Sequence, residues 1–307
     1  MPTNQNPQTH NYLSFQKQFS PYKWYKPLLV TLATLGFFFV MMLVLTIFGT
    51  LLAANQGYEP DKLFTSGYDN LDTYSPLGAL LSLGGIAIGI PALALGNRVV
   101  NARPFSSYSS SRGGFRLGVF AKCFGAALVL VALPLVLISV FTDQNSGIVR
   151  FSVPGFIMCT VLAPLQCAAE EYIFRGHIMQ MFGAWIKFPV IPILLQTFFF
   201  AAAHPYNLTG VISVGLMGVF LGVCAYVTNG LEASCALHIT NNLSAFYLTG
   251  FGFGSVKTEV EVIELVIVAV VCCLYLAFII FADKKLGWFN GKKSDGVAEF
   301  NAKIAAK

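Results

Sequence analysis

The chain has 307 residues, 56% of them apolar and 11% charged. Soluble domains carry about a quarter charged residues, so this composition, with a mean hydropathy of +0.68, excludes a soluble enzyme and indicates a polytopic membrane protein. The formal charge of +5 sits in short basic tracts beside apolar runs, which is a pattern of membrane orientation and not of a nucleic-acid partner.

Runs of about 20 apolar residues are long enough to cross a hydrocarbon core. In chain order they fall at 27–54, 76–96, 117–141, 151–173, 189–204, 209–228, 231–250 and 260–282. They predict an all-α bundle of about eight transmembrane helices. The first follows a polar leader, 1–26, and is too long for a signal-peptide core, so it is expected to be retained. The N-terminal helices then occupy 27–142, a core 150–250, a last helix 251–283, and a basic tail 284–307. The Ser-rich stretch 106–114 and the end after 283 read as linker and disordered tail.

Loop charges set an orientation. Lys17, Lys23 and Lys26 stand in the leader, whereas the polar loop 55–75 carries Glu59, Asp61, Asp69 and Asp72 against Lys62. Arg98, Arg103, Arg112 and Arg116 follow the second span, and Lys284, Lys285, Lys292, Lys293, Lys303 and Lys307 follow the last. The positive-inside rule puts both termini in the cytoplasm and requires an even number of spans. The seven cysteines, at 123, 159, 167, 224, 235, 272 and 273, all lie in apolar stretches without CxxC spacing. They read as small buried hydrophobes, not as a disulfide framework or thiolate metal site.

The chemistry concentrates in CTVLAPLQCAAEEYIFR, where Glu170 and Glu171 interrupt an apolar run. Ionisable groups at membrane depth are costly and usually mark function. On an α-helix the two glutamates cannot share a face, whereas Glu171 and Arg175 are four apart and can pair. Glu170 is left without a local partner. Further on, Phe200 and His204 in FFFAAAH share a helix face, as do His238 and Asn242 in HITNN. His177, just past Arg175, and His10 in the leader read as bland, with His177 a candidate for a site entrance. Glu170 and His204 are 34 residues apart; a turn near Lys187 to Pro189 brings them to one depth only if the fourth helix continues to about 184.

EEYIFR, FAAAH and HITNN resemble the EExxxR, FxxxH and HxxxN motifs of the CPBP family. That family groups type II CAAX prenyl endopeptidases with Abi proteins of bacteriocin processing and self-immunity. The resemblance covers about 160–250 and implies hydrolysis of a peptide bond within the membrane of a cell, expected to be a bacterial plasma membrane. It implies that Glu170 with His204 activates water, that His238 and Asn242 stabilise the oxyanion, and that Glu171, Arg175 and Phe200 support the site. The implied partner is a peptide or membrane-protein substrate in the bilayer, with oligomeric state open. Glu170, His204 and His238 would also compose a zinc triad, but an amide such as Asn242 is a poor zinc ligand and the spacing is not HExxH, so the reading prefers no metal cofactor. A transporter or channel with an intramembrane Glu and His site, and a non-catalytic bacteriocin immunity protein, are the competing classes.

Overall fold

The computed structural model describes residues 11–57, 72–112, 114–141, 147–253, 260–290 and 296–306. His10 and most of the polar loop 55–75 lie outside the described residues. The described chain is an all-α bundle of α1 (Lys26–Asn55), α2 (Pro76–Val100), α3 (Leu117–Phe141), α4 (Val153–Trp185), α5 (Val190–Ala202), α6 (Leu208–Thr228), α7 (Glu232–Gly250), α8 (Val262–Leu286) and a short α9 (Gly296–Ala305). Six of these are long and apolar enough to cross a membrane. Two predicted spans differ. α5 has 13 residues, which at 1.5 Å per residue is roughly 20 Å and short of a hydrocarbon core. α7 has the length but is too polar, because Glu232, His238, Asn241 and Asn242 lie along it. Bundle contacts, not lipid, surround its first half, and every residue from Glu232 to Thr240 is buried.

Local signals start and stop these helices. Ser75, Ser152 and Asn207 are N-caps whose side chains accept from the backbone N–H of Gly78, Gly155 and Gly210 at 3.0, 3.1 and 2.8 Å. Asn101, Asn229 and Gly287 end α2, α6 and α8 in the left-handed conformation. Gly155 is required by packing, since a Cβ there would stand 2.0 Å from the Tyr74 carbonyl oxygen. α1 presents Leu32, Phe39 and Leu43 outward, each more than half exposed, as a lipid-facing surface demands.

Successive helices alternate in direction, which sorts the connections into two ends. At one end the leader meets the segments after α2, α4 and α6. Lys26 Nζ donates to the Asn101 carbonyl at 3.2 Å, Gln16 Nε2 to Gln180 O at 2.9 Å, and Tyr12 N to Asn229 Oδ1 at 3.2 Å. α9 joins them, with Ser20 N donating to Asn301 Oδ1 at 2.6 Å and Asn301 Nδ2 to Gln18 O at 3.0 Å. Residues near the two termini therefore share one end. At the opposite end Arg150 pairs with Asp72 at 3.3 Å and donates its backbone N–H to Gly250 O at 2.9 Å, and Asn207 holds Val260 N at 3.2 Å.

Three segments read as polar extras are packed parts of the fold. In the leader, Tyr12, Leu13, Phe15 and Phe19 are buried, because Leu13 docks where α4 offers Gly183. The Ser-rich stretch is no linker: Ser107 to Ser111 are buried, and Ser110 and Gly230 form a bridge. Serine packs closely and bonds locally to backbone, as where Ser110 Oγ donates to Asn229 O at 3.0 Å. Beyond 283, Phe289 is buried and α9 is docked through Asn301. Arg116, assigned by its charge to a loop, is a structural residue that pairs with Glu232 through Nε at 2.8 Å and Nη2 at 2.9 Å, while its backbone N–H adds a third bond at 2.9 Å. Glu232 is fully buried, so Glu232→Ala, which strands the guanidinium, is expected to destabilise the protein by about 3 kcal/mol, read as earlier thermal unfolding in detergent. Unchanged unfolding would show that this ion pair does not hold α7.

Candidate functional site

The site begins where α4 changes its winding. From Val153 to Glu170 the helix is α; from Glu171 to Met179 it is π; it then closes as α to Trp185. The long fourth helix that the Glu170 and His204 spacing requires is thus present, with its turn at 186–189. π segments inside α-helices are rare and gather at functional sites. The expectation that the glutamates point apart is corrected: the backbone at Glu170 and Glu171 keeps α dihedrals, yet the two long side chains converge on the same imidazole. His238 Nδ1 lies 2.8 Å from Glu171 Oε1 and His238 Nε2 lies 3.4 Å from Glu170 Oε2.

Each glutamate also has its own anchor on α4. Glu171 Oε1 accepts from Arg175 Nη1 at 3.0 Å, the predicted pair, with both side chains fully buried. Glu170 is not partnerless, because Gln166 Nε2 donates to its Oε1 at 2.6 Å. Gln166 is the missed residue here, and its signal was in plain sight: an amide four residues before an acid, inside an apolar run. Glu170 Oε2 remains a buried acceptor without a hydrogen-bond partner.

Phe200 of α5 is the hub around which the other groups gather. Arg175 stacks its guanidinium over the Phe200 ring at 4.2 Å, a cation–π contact in a dry setting. The His204 and His238 rings stand 4.8 and 5.9 Å from the same ring. His204 lies in the turn after α5, half-buried, with Nδ1 2.7 Å from Phe200 O. A carbonyl only accepts, so Nδ1 carries the proton, and Nε2 of the neutral ring keeps its lone pair. Helix α6 can approach because it offers glycine: Gly218 O accepts from Arg175 Nη2 at 3.4 Å and from Gln196 Nε2 at 2.9 Å, and a Cβ on Gly222 would meet Gln196 Nε2 at 2.8 Å. The GLMGVFLG pattern is this close contact.

His204, His238 and Asn242 share a cavity of about 360 Å³, with Phe200 in its wall. Tyr74, Tyr206 and Asn241 also line it and were not singled out from the sequence. The Asn242 side chain is half-buried, and its Oδ1 accepts from Asn241 Nδ2 at 3.2 Å. Its own amide nitrogen is a neutral donor beside the cavity. His177 is elsewhere: it is buried against α1, with Nε2 2.8 Å from Thr31 Oγ1, and is not among the cavity's lining.

A zinc site needs three protein donors about one metal. Glu170 Oε2 and His238 Nε2 are close enough to share an ion, but among the described residues no group of three His, Cys, Asp or Glu side chains is arranged to hold one. His238 Nδ1 is committed to Glu171 and His204 Nδ1 to the Phe200 carbonyl. Among the described residues, then, these side chains are not gathered about one point.

The fold and site define a membrane-embedded helical bundle with a buried Glu, Arg and His cluster beside a polar cavity. Residues 150–244 match the family described as Rce1-like, type II CAAX prenyl endopeptidase. Over this core segment the chain is similar to that family, in keeping with the resemblance its motifs carry. Over 166 residues the chain is 28% identical to an uncharacterized protein of Bacillus subtilis (strain 168), YyaK, covering 50% of this chain and 55% of that protein. The chain thus spans about half the length of this curated relative. No solved structure matches.

Two substitutions test the packing of the site. Arg175→Met keeps volume but leaves the buried Glu171 carboxylate without its guanidinium partner, with an expected loss of about 3–5 kcal/mol in detergent unfolding. Gly222→Val drives a branched side chain into Gln196 and Ile193 and is expected to cost about 1–3 kcal/mol. A Gly222→Val protein that unfolds like wild type would mean that α5 and α6 are not in close contact.

Proposed function

We propose that the protein is an intramembrane endopeptidase that hydrolyses a peptide bond of a membrane-associated peptide or protein. One observation carries the reading: Glu170 Oε2, a buried carboxylate oxygen with no hydrogen-bond partner, stands 3.4 Å from Nε2 of the imidazole that lines the cavity, whereas Glu171, whose Oε2 is likewise unpartnered, is fully buried behind Nδ1. Buried polar atoms are normally satisfied, so an orphan acceptor beside a polar cavity suits a water to be activated. Glu170 takes the proton of that water, with the Nε2 lone pair of His204 as its partner in holding it. Gln166 keeps the carboxylate aimed.

The oxyanion falls to His238 and Asn242. Glu171, itself anchored by Arg175, accepts from His238 Nδ1–H, so that the imidazolium form presents Nε2–H as the donor to the reacting centre, and the Asn242 amide adds a neutral donor one helical turn away. Preorganised donors of this kind are effective because they need not reorient as charge develops. We read the reaction as independent of a bound metal, since an amide such as Asn242 is a poor zinc ligand but a good oxyanion donor. The protein then works in a bacterial plasma membrane, a setting in keeping with its Bacillus relative, with both termini in the cytoplasm, because residues near the two ends share one basic end of the bundle.

The test compares purified wild type with Glu170→Gln in liposomes on a peptide library. Loss of a general base costs about 10²–10⁴-fold in rate, and a fall of that size is expected, with wild-type cleavage unaffected by a chelator. Equal cleavage by Glu170→Gln contradicts the protease reading. Activity that a chelator abolishes and zinc restores contradicts the metal-free one.

A further inference from the structure

The cavity is lined from one end of the bundle. Each helix that lines it contributes the half nearer the end formed by 72–75, 203–207 and 250–253. α7 contributes His238 through Thr249 and stops at Gly250; α6 contributes Ser213 to Met217 just after its start; α5 contributes its last residues; α8 contributes Val268 near its beginning. Tyr74, in the turn before α2, forms part of the rim.

The opposite end is sealed. Below the Glu171 and Arg175 pair come His177 and Gln180, both buried, and then Arg103, which donates to Gln180 Oε1 and to Gly176 O and lies 3.6 Å over the Tyr108 ring. Tyr12, Leu13 and Phe15 of the leader close over this layer. Tyr12 Oη donates to the Tyr108 carbonyl, Gln16 Nε2 to Gln180 O and Gln180 Nε2 to Ser107 O, so a bonded, buried layer stands between that end and Glu170.

Charge distinguishes the two ends. Among the described residues the sealed end carries Lys17, Lys23, Arg112, Lys187, Lys284 and Lys285, whereas the open end has Arg150 as its one Lys or Arg, beside Asp72, Glu261 and Glu264. Basic residues close to span ends stay in the cytoplasm. We infer that the catalytic cavity opens to the extracytoplasmic side and takes as substrate a peptide segment presented from outside, next to its own membrane anchor.

This inference rests on the protease reading for its substrate, but the sidedness stands on geometry and charge alone. A cytoplasmic C-terminal tail, prenylated or not, would meet the sealed end. An outward-facing juxtamembrane segment would reach His204 and Asn242 through the rim, along a wall that is apolar at Val214, Met217 and Val268.

Cysteine accessibility in intact cells tests it without needing turnover, so its failure is distinct from failure of the Glu170→Gln experiment. In a Cys273→Ser background, which removes the exposed native thiol, Thr249→Cys reports the cavity and Lys187→Cys the sealed end. Asp72→Cys, exposed outside the cavity, controls for a Thr249 variant that does not fold. A membrane-impermeant maleimide is expected to label Thr249→Cys and Asp72→Cys in intact cells, and Lys187→Cys only after permeabilisation. Labelling of Lys187→Cys in intact cells, or of Asp72→Cys only after permeabilisation, overturns the orientation. Asp72→Cys labelled from outside with a folded Thr249→Cys that never reacts overturns the open cavity.

Discussion

One contact holds the interior in place: the carboxylate of Glu171 against His238 Nδ1 at 2.8 Å. It joins the middle of α4 to the middle of α7 where no water can replace a lost partner. Arg175 neutralises the same oxygen and spreads over Phe200, so α5 is drawn into the arrangement, and Gly218 brings α6 within reach of the guanidinium. Four helices are thus tied through a few polar atoms. A buried charge cluster of this kind is weak as a source of net stability but costly to break, and it fixes which side chains face the cavity.

Because Glu171 is spent on that contact, Glu170 is free for another. The two residues began as one oddity of sequence and end in different employment. Glu171 has two hydrogen-bond partners on Oε1, while Glu170 has Gln166 on Oε1 and only the His238 Nε2, 3.4 Å away, beside Oε2. The two neighbouring side chains approach one imidazole from its two nitrogens, at the point where α4 passes from α to π winding.

Much of this was legible from the residues. Hydropathy located all eight helices, and spacing found the Glu171 and Arg175 pair, the Phe200 and His204 face and the length of α4. What escaped notice had physical reasons. The π segment is a property of backbone register, which side-chain periodicity does not report. Glu232 pairs with Arg116 from 116 residues away, a separation no local pattern reveals. The buried serines at 107–111 and the leader aromatics looked solvated because composition cannot show that Gly183 and Gly230 leave room for them. α5 read as a span because apolarity was counted and length in ångströms was not.

The central claim is that Glu171 and His238 act as one unit joining α4 and α7. A double-mutant cycle with Glu171→Gln and His238→Asn, read by unfolding in detergent, measures it directly. Residues in one buried network couple by about 0.5–3 kcal/mol, and a coupling energy above ~1 kcal/mol is expected, with the double variant less destabilised than the sum of the singles. Additivity within about 0.5 kcal/mol would mean that the two side chains do not meet, and the account of the site would fall with it.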